Sequence, residues 1–325
     1  MARTDTLGNF LTDVAIAIRN KKGTTDTIVA SNFDTEIESI ESSGDTSIED
    51  GLITRTLTEY SNNRVTEVGK YAFYYSTTLQ SIDLPNVTNI KDSAFQNCTS
   101  LTSINLPKAT NIGLDAMRQC TSLTSINLPE LTNLDSYVFY SCTSLSSIDL
   151  PKVTSIGNNS FYNCQSLESV NLPNITTIGT NCFYNNSKLL SIDLPNITSI
   201  PDNTFYNCIS LESVNLPNVS SIGGSSFRLC TLLKSLDLPK VTKINGTYNF
   251  RDSNSLITLI LRSETICTLS NTNAFFNCPI ANGTGYIYVP SALIDSYKTA
   301  TNWSTYANQF RAIEDYPDIC GEATS

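Results

Sequence analysis

The sequence predicts an α/β repeat solenoid: a coil of 22-residue rungs with a parallel sheet along one side, preceded by a short helical element and closed by a strand-helix cap. Three observations carry that prediction. A segment of the form SIDLPNVTNI returns every 22 residues, its anchoring leucine standing at Leu84, Leu106, Leu128 and so on to Leu238. Within each copy, apolar and polar residues alternate as in Ser81 to Leu84, the pattern of a strand with one buried side. Both ends depart from the period, as the ends of a stacked array must if they are to cover its apolar cross-section.

Residues 1–44 form the first element. Leu7, Leu11, Val14 and Ile18 recur at spacings of four and three, which marks one face of a helix, with Asp5 or Thr6 to cap it and Lys21, Lys22 and Gly23 to end it. A second short helix is expected after Ser31, with Phe33, Ile37 and Ile40 on one face and Gly44 as its stop. Helices this short need a partner surface, so they pack on each other, on the coil or in an oligomer. Residues 45–78 read as a degenerate capping rung, because Leu57, Tyr60, Val65, Val68 and Phe73 each stand 22 residues before an apolar position of the first full copy. The regular coil then spans 79–280, with a one-residue slip of register between Asn245 and Phe250. Residues 281–325 form the closing cap: a strand at Tyr286 to Val289, a helix from Ser291 to about Ala300, and Trp303 placed to plug the open core.

Each rung position has a distinct role. In the first copy Ile82 and Leu84 point inward while Ser81 and Asp83 point outward, and Pro85 stops the strand because it has no ladder donor. Phe95 and Cys98, three apart, suit a turn of helix or 3₁₀ closing the coil on the opposite side. Cys98, Cys120, Cys142, Cys164, Cys208 and Cys230 occupy one column, with Asn186 in the same position. Neighbours in that column lie about 5 Å apart. The column reads as small buried groups in a reduced protein, with bridges between rungs and a metal site as competing readings.

These residues resemble a known family. The strings SIDLP and VTSIG and the FxNCxSL pattern are similar to the BspA-type leucine-rich repeat, also known from treponemal repeat proteins, over roughly residues 57 to 280. The resemblance implies a right-handed leucine-rich-repeat coil. It also implies a bacterial surface protein that adheres to host matrix or to other bacteria. The closing stretch from Tyr286 to Ile313 resembles the end of such proteins. The leading LTDVAIAIRNKKGTTDTI, with VASNFDTEIESI after it, resembles the opening element of repeat proteins among prophage and tailed-phage structural genes of gut bacteria.

Composition narrows the function. The net charge is −10 and no basic stripe occurs, which disfavours nucleic acid and anionic membrane as partners. Histidine is absent, which removes the commonest general base and transition-metal ligand. No phosphate-cradling glycine loop or nucleophile motif stands out, so the expectation is a protein that is not an enzyme and takes no cofactor or metal. No secretory signal or apolar run of membrane-spanning length is seen, so no membrane insertion is expected.

Two surfaces remain for binding. The strand face repeats serine beside aspartate or asparagine on every rung, as at Ser81/Asp83 and Ser103/Asn105, which reads as a soluble polar ladder or as a repetitive face for a glycan. Beside the phenylalanine column runs Arg118, Tyr140, Tyr162, Tyr184, Tyr206 and Arg228, an aromatic ridge flanked by arginines and suited to a sugar or a protein hot spot. The expectation is a non-enzymatic recognition protein on a phage or prophage-derived particle. Its partners would be a bacterial surface glycan or protein, other particle proteins through the N-terminal helices, and further copies of itself in a homo-oligomer. The alternatives are a BspA-type cell-surface adhesin, if the natural N-terminus is longer, and an intracellular interaction scaffold.

Overall fold

A computed structural model describes residues 57–320 together with the strand Ser47–Ile48. The expected helices within 1–44 lie outside the described residues.

Successive rungs pair in parallel and in register. Ile82 lies beside Ile104, and Tyr60 beside Ile82, so the repeat runs back through the rung without prolines. The inward positions Ile82, Leu84, Val87, Ile90, Phe95, Cys98 and Leu101 are all buried. They join one continuous core with their equivalents on every rung. Burying such a side chain contributes roughly 1.5–3 kcal/mol before the entropy of ordering is subtracted.

The coil carries a second ladder beyond the one expected. Two-residue strands such as Asn89–Ile90 and Asn111–Ile112 pair from rung to rung along a second side, after the bend that Pro85 and its equivalents introduce. The threonine column before them closes this side: Thr110 Oγ1 donates to the Thr88 carbonyl at 3.1 Å, and Thr176 Oγ1 to the Thr154 carbonyl at 2.9 Å.

The side bearing phenylalanine is built from turns instead of the expected helical or 3₁₀ turn. Two residues per rung, four apart, have left-handed backbone, as at Ser93 (φ 54) and Asn97 (φ 63). Backbone donors there alternate. Ala94, Gln96 and Cys98 donate three residues back, whereas Ser93, Phe95 and Asn97 donate forward to Leu114, Ala116 and Arg118 on the next rung. Thus every second N–H serves the local turn and every other one serves the stack. Asparagine tolerates this conformation, which accounts for Asn159, Asn163, Asn181, Asn185, Asn203 and Asn207 at these positions.

Phenylalanine rings stack along the core behind these turns, for example Phe161 on Phe183 at 5.5 Å and 1°. The register slip appears as 23-residue pairing, with Leu236 beside Leu259. A left-handed glycine, Gly246 (φ 71), lies in that stretch. At the carboxyl end Tyr286–Val289 pairs with the strand Thr258–Leu261. The helix Ile294–Thr299 follows, and a further strand, Phe310–Ala312, adds a last parallel layer that the sequence did not signal. Trp303 is fully buried, 6.1 Å from Phe275, and its Nε1 donates to the Cys267 carbonyl at 2.6 Å.

Candidate functional site

The strand face satisfies itself. Asn105 Nδ2 donates to Asp83 Oδ1 at 2.7 Å, Asn171 to Asp149 at 2.8 Å and Asn215 to Asp193 at 2.8 Å. In these three pairs the asparagine amide donates to the carboxylate of the rung before it, which gives the placing of asparagine after aspartate a structural cause. At the end of the column Asp237 is held bidentately by Arg262, whose guanidinium also donates to the Cys320 carbonyl. Much of this face's hydrogen-bonding capacity is consumed between rungs.

The cysteine column is free of bridges. Its position has a role that the sequence reading missed. Each thiol donates to the carbonyl beside the phenylalanine column one rung back, Cys98 to Phe73 at 3.0 Å, Cys142 to Met117 at 3.2 Å and Cys208 to Phe183 at 3.1 Å. Where cysteine is replaced, the substitute is still a donor: Asn186 Nδ2 reaches the Phe161 carbonyl at 2.9 Å and Ser253 Oγ the Phe227 carbonyl at 2.6 Å. That common donor was the available signal. Burial pushes the Cys142 and Cys208 thiols up to about 12, so they are not thiolate nucleophiles. Among the described residues no group of three or more His, Cys, Asp or Glu side chains could hold a metal ion. No helix among them is long and apolar enough to cross a membrane.

The tyrosine ridge is where the rungs differ. Local turns aim the residue after each core phenylalanine outward, and the inter-rung bonds hold those residues in line. Tyr140 stacks on Tyr162 at 4.7 Å and 4°, Tyr162 on Tyr184 at 4.6 Å and 7°, and Tyr184 on Tyr206 at 4.5 Å and 2°. Arg118 covers Tyr140 at 4.6 Å and Arg228 covers Tyr206 at 5.3 Å, so the structure brings all six sequence-selected residues into one column. Such stacked and cation–π pairs contribute about 0.5–1.5 kcal/mol each beyond area.

The rings are half-buried, and their faces are taken up by each other. The ridge therefore presents phenol edges and hydroxyls to a partner, instead of open faces on which a sugar could lie. Burial, then the neighbouring Tyr206 and Tyr162 phenols, push Tyr184 up to about 12; burial, then Tyr140, raises Tyr162. The Tyr162 and Tyr184 hydroxyls therefore stay protonated at neutral pH and can both donate and accept. Arg118 is anchored by Asp115 at 3.2 Å, and Asp252 sits 3.9 Å from Arg228. Sequence reasoning missed the extension of the column: Tyr248 lies 5.7 Å from Arg228, and Arg251 bridges Tyr248 and Phe276 at 4.8 Å each. The slip in register hides it, because these residues no longer stand 22 apart.

Comparison with known proteins agrees with the repeat architecture. A search of curated proteins gives no significant match. Among solved structures the chain is similar to a leucine-rich repeat protein of T. pallidum, with 32% identity, 47% of this chain and 77% of that chain covered, and a TM-score of 0.46. A leucine-rich repeat protein from Bacteroides ovatus matches at 24% identity, covering 82% and 87% of the two chains with a TM-score of 0.41. A leucine-rich cell surface protein from Faecalibacterium prausnitzii matches at 21% identity, covering 81% and 86%, with a TM-score of 0.40. The family model described as "BspA type Leucine rich repeat region" matches in six copies over residues 66–189 and 176–295. With its in-register rungs and that span of matched sequence, the chain belongs to the BspA-type leucine-rich repeat family.

Proposed function

We propose that this chain is a non-enzymatic recognition protein whose tyrosine ridge, from Arg118 to Arg228, binds a glycan or protein on a bacterial surface. One observation carries this reading: the ridge is the broken part of the period, where Gln96, Arg118, four tyrosines and Arg228 succeed one another while the strand face barely changes. A row of phenol hydroxyls between two guanidiniums suits a polyhydroxylated or acidic polymer lying along the coil, with aromatic edges as anchors. Whole-cell or glycan-array binding tests it. Replacing Tyr162 and Tyr184 together with alanine is expected to abolish binding, and undiminished binding removes the ridge from the reading.

How the protein is carried is a separate part of the proposal. The leading residues favour a phage or prophage-derived particle, with 1–44 attaching to other particle proteins or forming a homo-oligomer. Family membership favours a cell-surface adhesin. Light scattering of the full chain distinguishes a monomer from an assembly, and neighbouring genes for tail proteins or an upstream signal sequence separate the two carriers.

A further inference from the structure

We propose that the tyrosine ridge is a site of oxidative cross-linking, at which phenols on adjacent rungs join ring to ring when a one-electron oxidant of the peroxidase class acts on them. The inference stands on ring geometry and not on what the ridge binds. From Tyr140 to Tyr206 the rings are parallel within 7°, with centroids 4.5–4.7 Å apart. Face-to-face stacking at this separation puts the ring carbons of adjacent phenols within reach of one another. Other close tyrosine pairs among the described residues are tilted or edge-on: Tyr71 with Tyr74 at 79°, Tyr74 with Tyr75 at 68°, Tyr137 with Tyr140 at 42° and Tyr288 with Tyr316 at 74°. The half-buried rings leave their outer edges accessible to an oxidant while the stack restrains their motion.

The chemistry balances. Each of two neighbouring phenols gives up one electron to the oxidant and its hydroxyl proton to water, leaving two phenoxyl radicals. These couple through a new bond between their ortho carbons. The hydrogen on each coupled carbon then moves to the oxygen as the ring regains aromaticity. The pair has lost two electrons and two protons, which a peroxidase passes to hydrogen peroxide to make two waters. The guanidiniums of Arg118 and Arg228 bound the reactive run, since neither can couple. The product is a covalent staple between consecutive rungs, formed without any of the buried thiols.

The test uses the full chain, dilute, with a peroxidase and hydrogen peroxide. Trypsin cuts after Arg118, Lys152, Lys188 and Arg228, so Tyr140, the Tyr162/Tyr184 pair and Tyr206 fall on three peptides. The expected result is a monomeric product with dityrosine fluorescence, in which peptide 119–152 is joined to 153–188, or 153–188 to 189–228, with the mass of two hydrogens missing. The double variant Tyr162→Phe with Tyr206→Phe keeps the stacked rings but leaves no adjacent phenols among the four, and should lose both joined species while melting like the parent. Urea-unfolded chain under the same oxidant should not show this neighbour preference. Absence of the two species from the native protein, linkage only between molecules or at Tyr71 to Tyr75, or the same yield from unfolded chain would each overturn the proposal.

Discussion

Asn186 shows what one position in the core demands. It is fully buried in the cysteine column, and its amide nitrogen makes the column's bond to the carbonyl one rung back. Its Oδ1 has no hydrogen-bond partner among the described residues. An unsatisfied buried acceptor costs about 1–3 kcal/mol, whereas a thiol makes the same bond with no acceptor left over. Asn186→Cys is therefore expected to stabilise the fold by roughly 1–2 kcal/mol. A higher denaturant midpoint at unchanged m-value is the measurement, and a lower midpoint contradicts the account. The thiols and buried phenols also fix a pH dependence. Cys142 and Cys208 rise from 9.0 to about 12, and Tyr297 and Tyr306 from 10.0 to about 12, in each case first through burial. The native chain keeps protons that the unfolded chain has released, so this stability is complete below pH 9 and drains away towards about 12. Thermal midpoints should fall steadily on that alkaline side, and a flat profile would show the thiols to be solvated. The column was legible in the sequence as a period but not as a set of donors, because a small buried group and a hydrogen-bonding one give the same spacing.

Strands and turns differed in how much the sequence revealed. Alternation placed Ile82, Leu84, Ile104 and Leu106 inward, as found. The spacing of Phe95 and Cys98 fits a helical turn and a series of left-handed turns equally well, and apolar periodicity does not separate them. Polar residues with positive φ were the better clue: asparagine recurs at both left-handed positions on the rungs of Phe161, Phe183 and Phe205. Tyr137 and Leu229 break the rule at φ 61, at a strain of about 1 kcal/mol or more each. The ridge residues were legible because they sit next to the core phenylalanines, whereas Tyr248 and Arg251 were concealed by the slip. A rung is also the unit of change. Excising residues 147–168 removes one period and leaves every inward position inward, so the shortened chain should fold with unchanged circular dichroism per residue. Removing one residue fewer leaves a 23-residue rung like the one that pairs Leu236 with Leu259, so the extra residue should be absorbed in a turn with a lower melting temperature than the 22-residue excision gives.

Over the whole molecule, stability depends on how the last rung is closed. Trp303 contacts Phe275, Tyr306 and Phe310 and bonds to the Cys267 carbonyl, so it seals a core that would otherwise end in phenylalanine open to water. Trp303→Ala is expected to cost about 3–5 kcal/mol, with amide exchange accelerated first in the carboxyl-terminal rungs. Uniform acceleration along the coil would show the rungs to be more strongly coupled than nearest-neighbour stacking implies.

The alternation of donors in the turns also gives the coil a direction. Side-chain donors such as Thr110, Asn105 and Cys98 reach back to the rung before, whereas the turn amides of Ser93, Phe95 and Asn97 reach forward to the rung after. A chain leaving the ribosome thus has a finished template for the side chains of each new rung, while its turn amides wait for the next 22 residues to emerge. Ordering during synthesis should advance in steps of one rung and lag by one rung behind the nascent end.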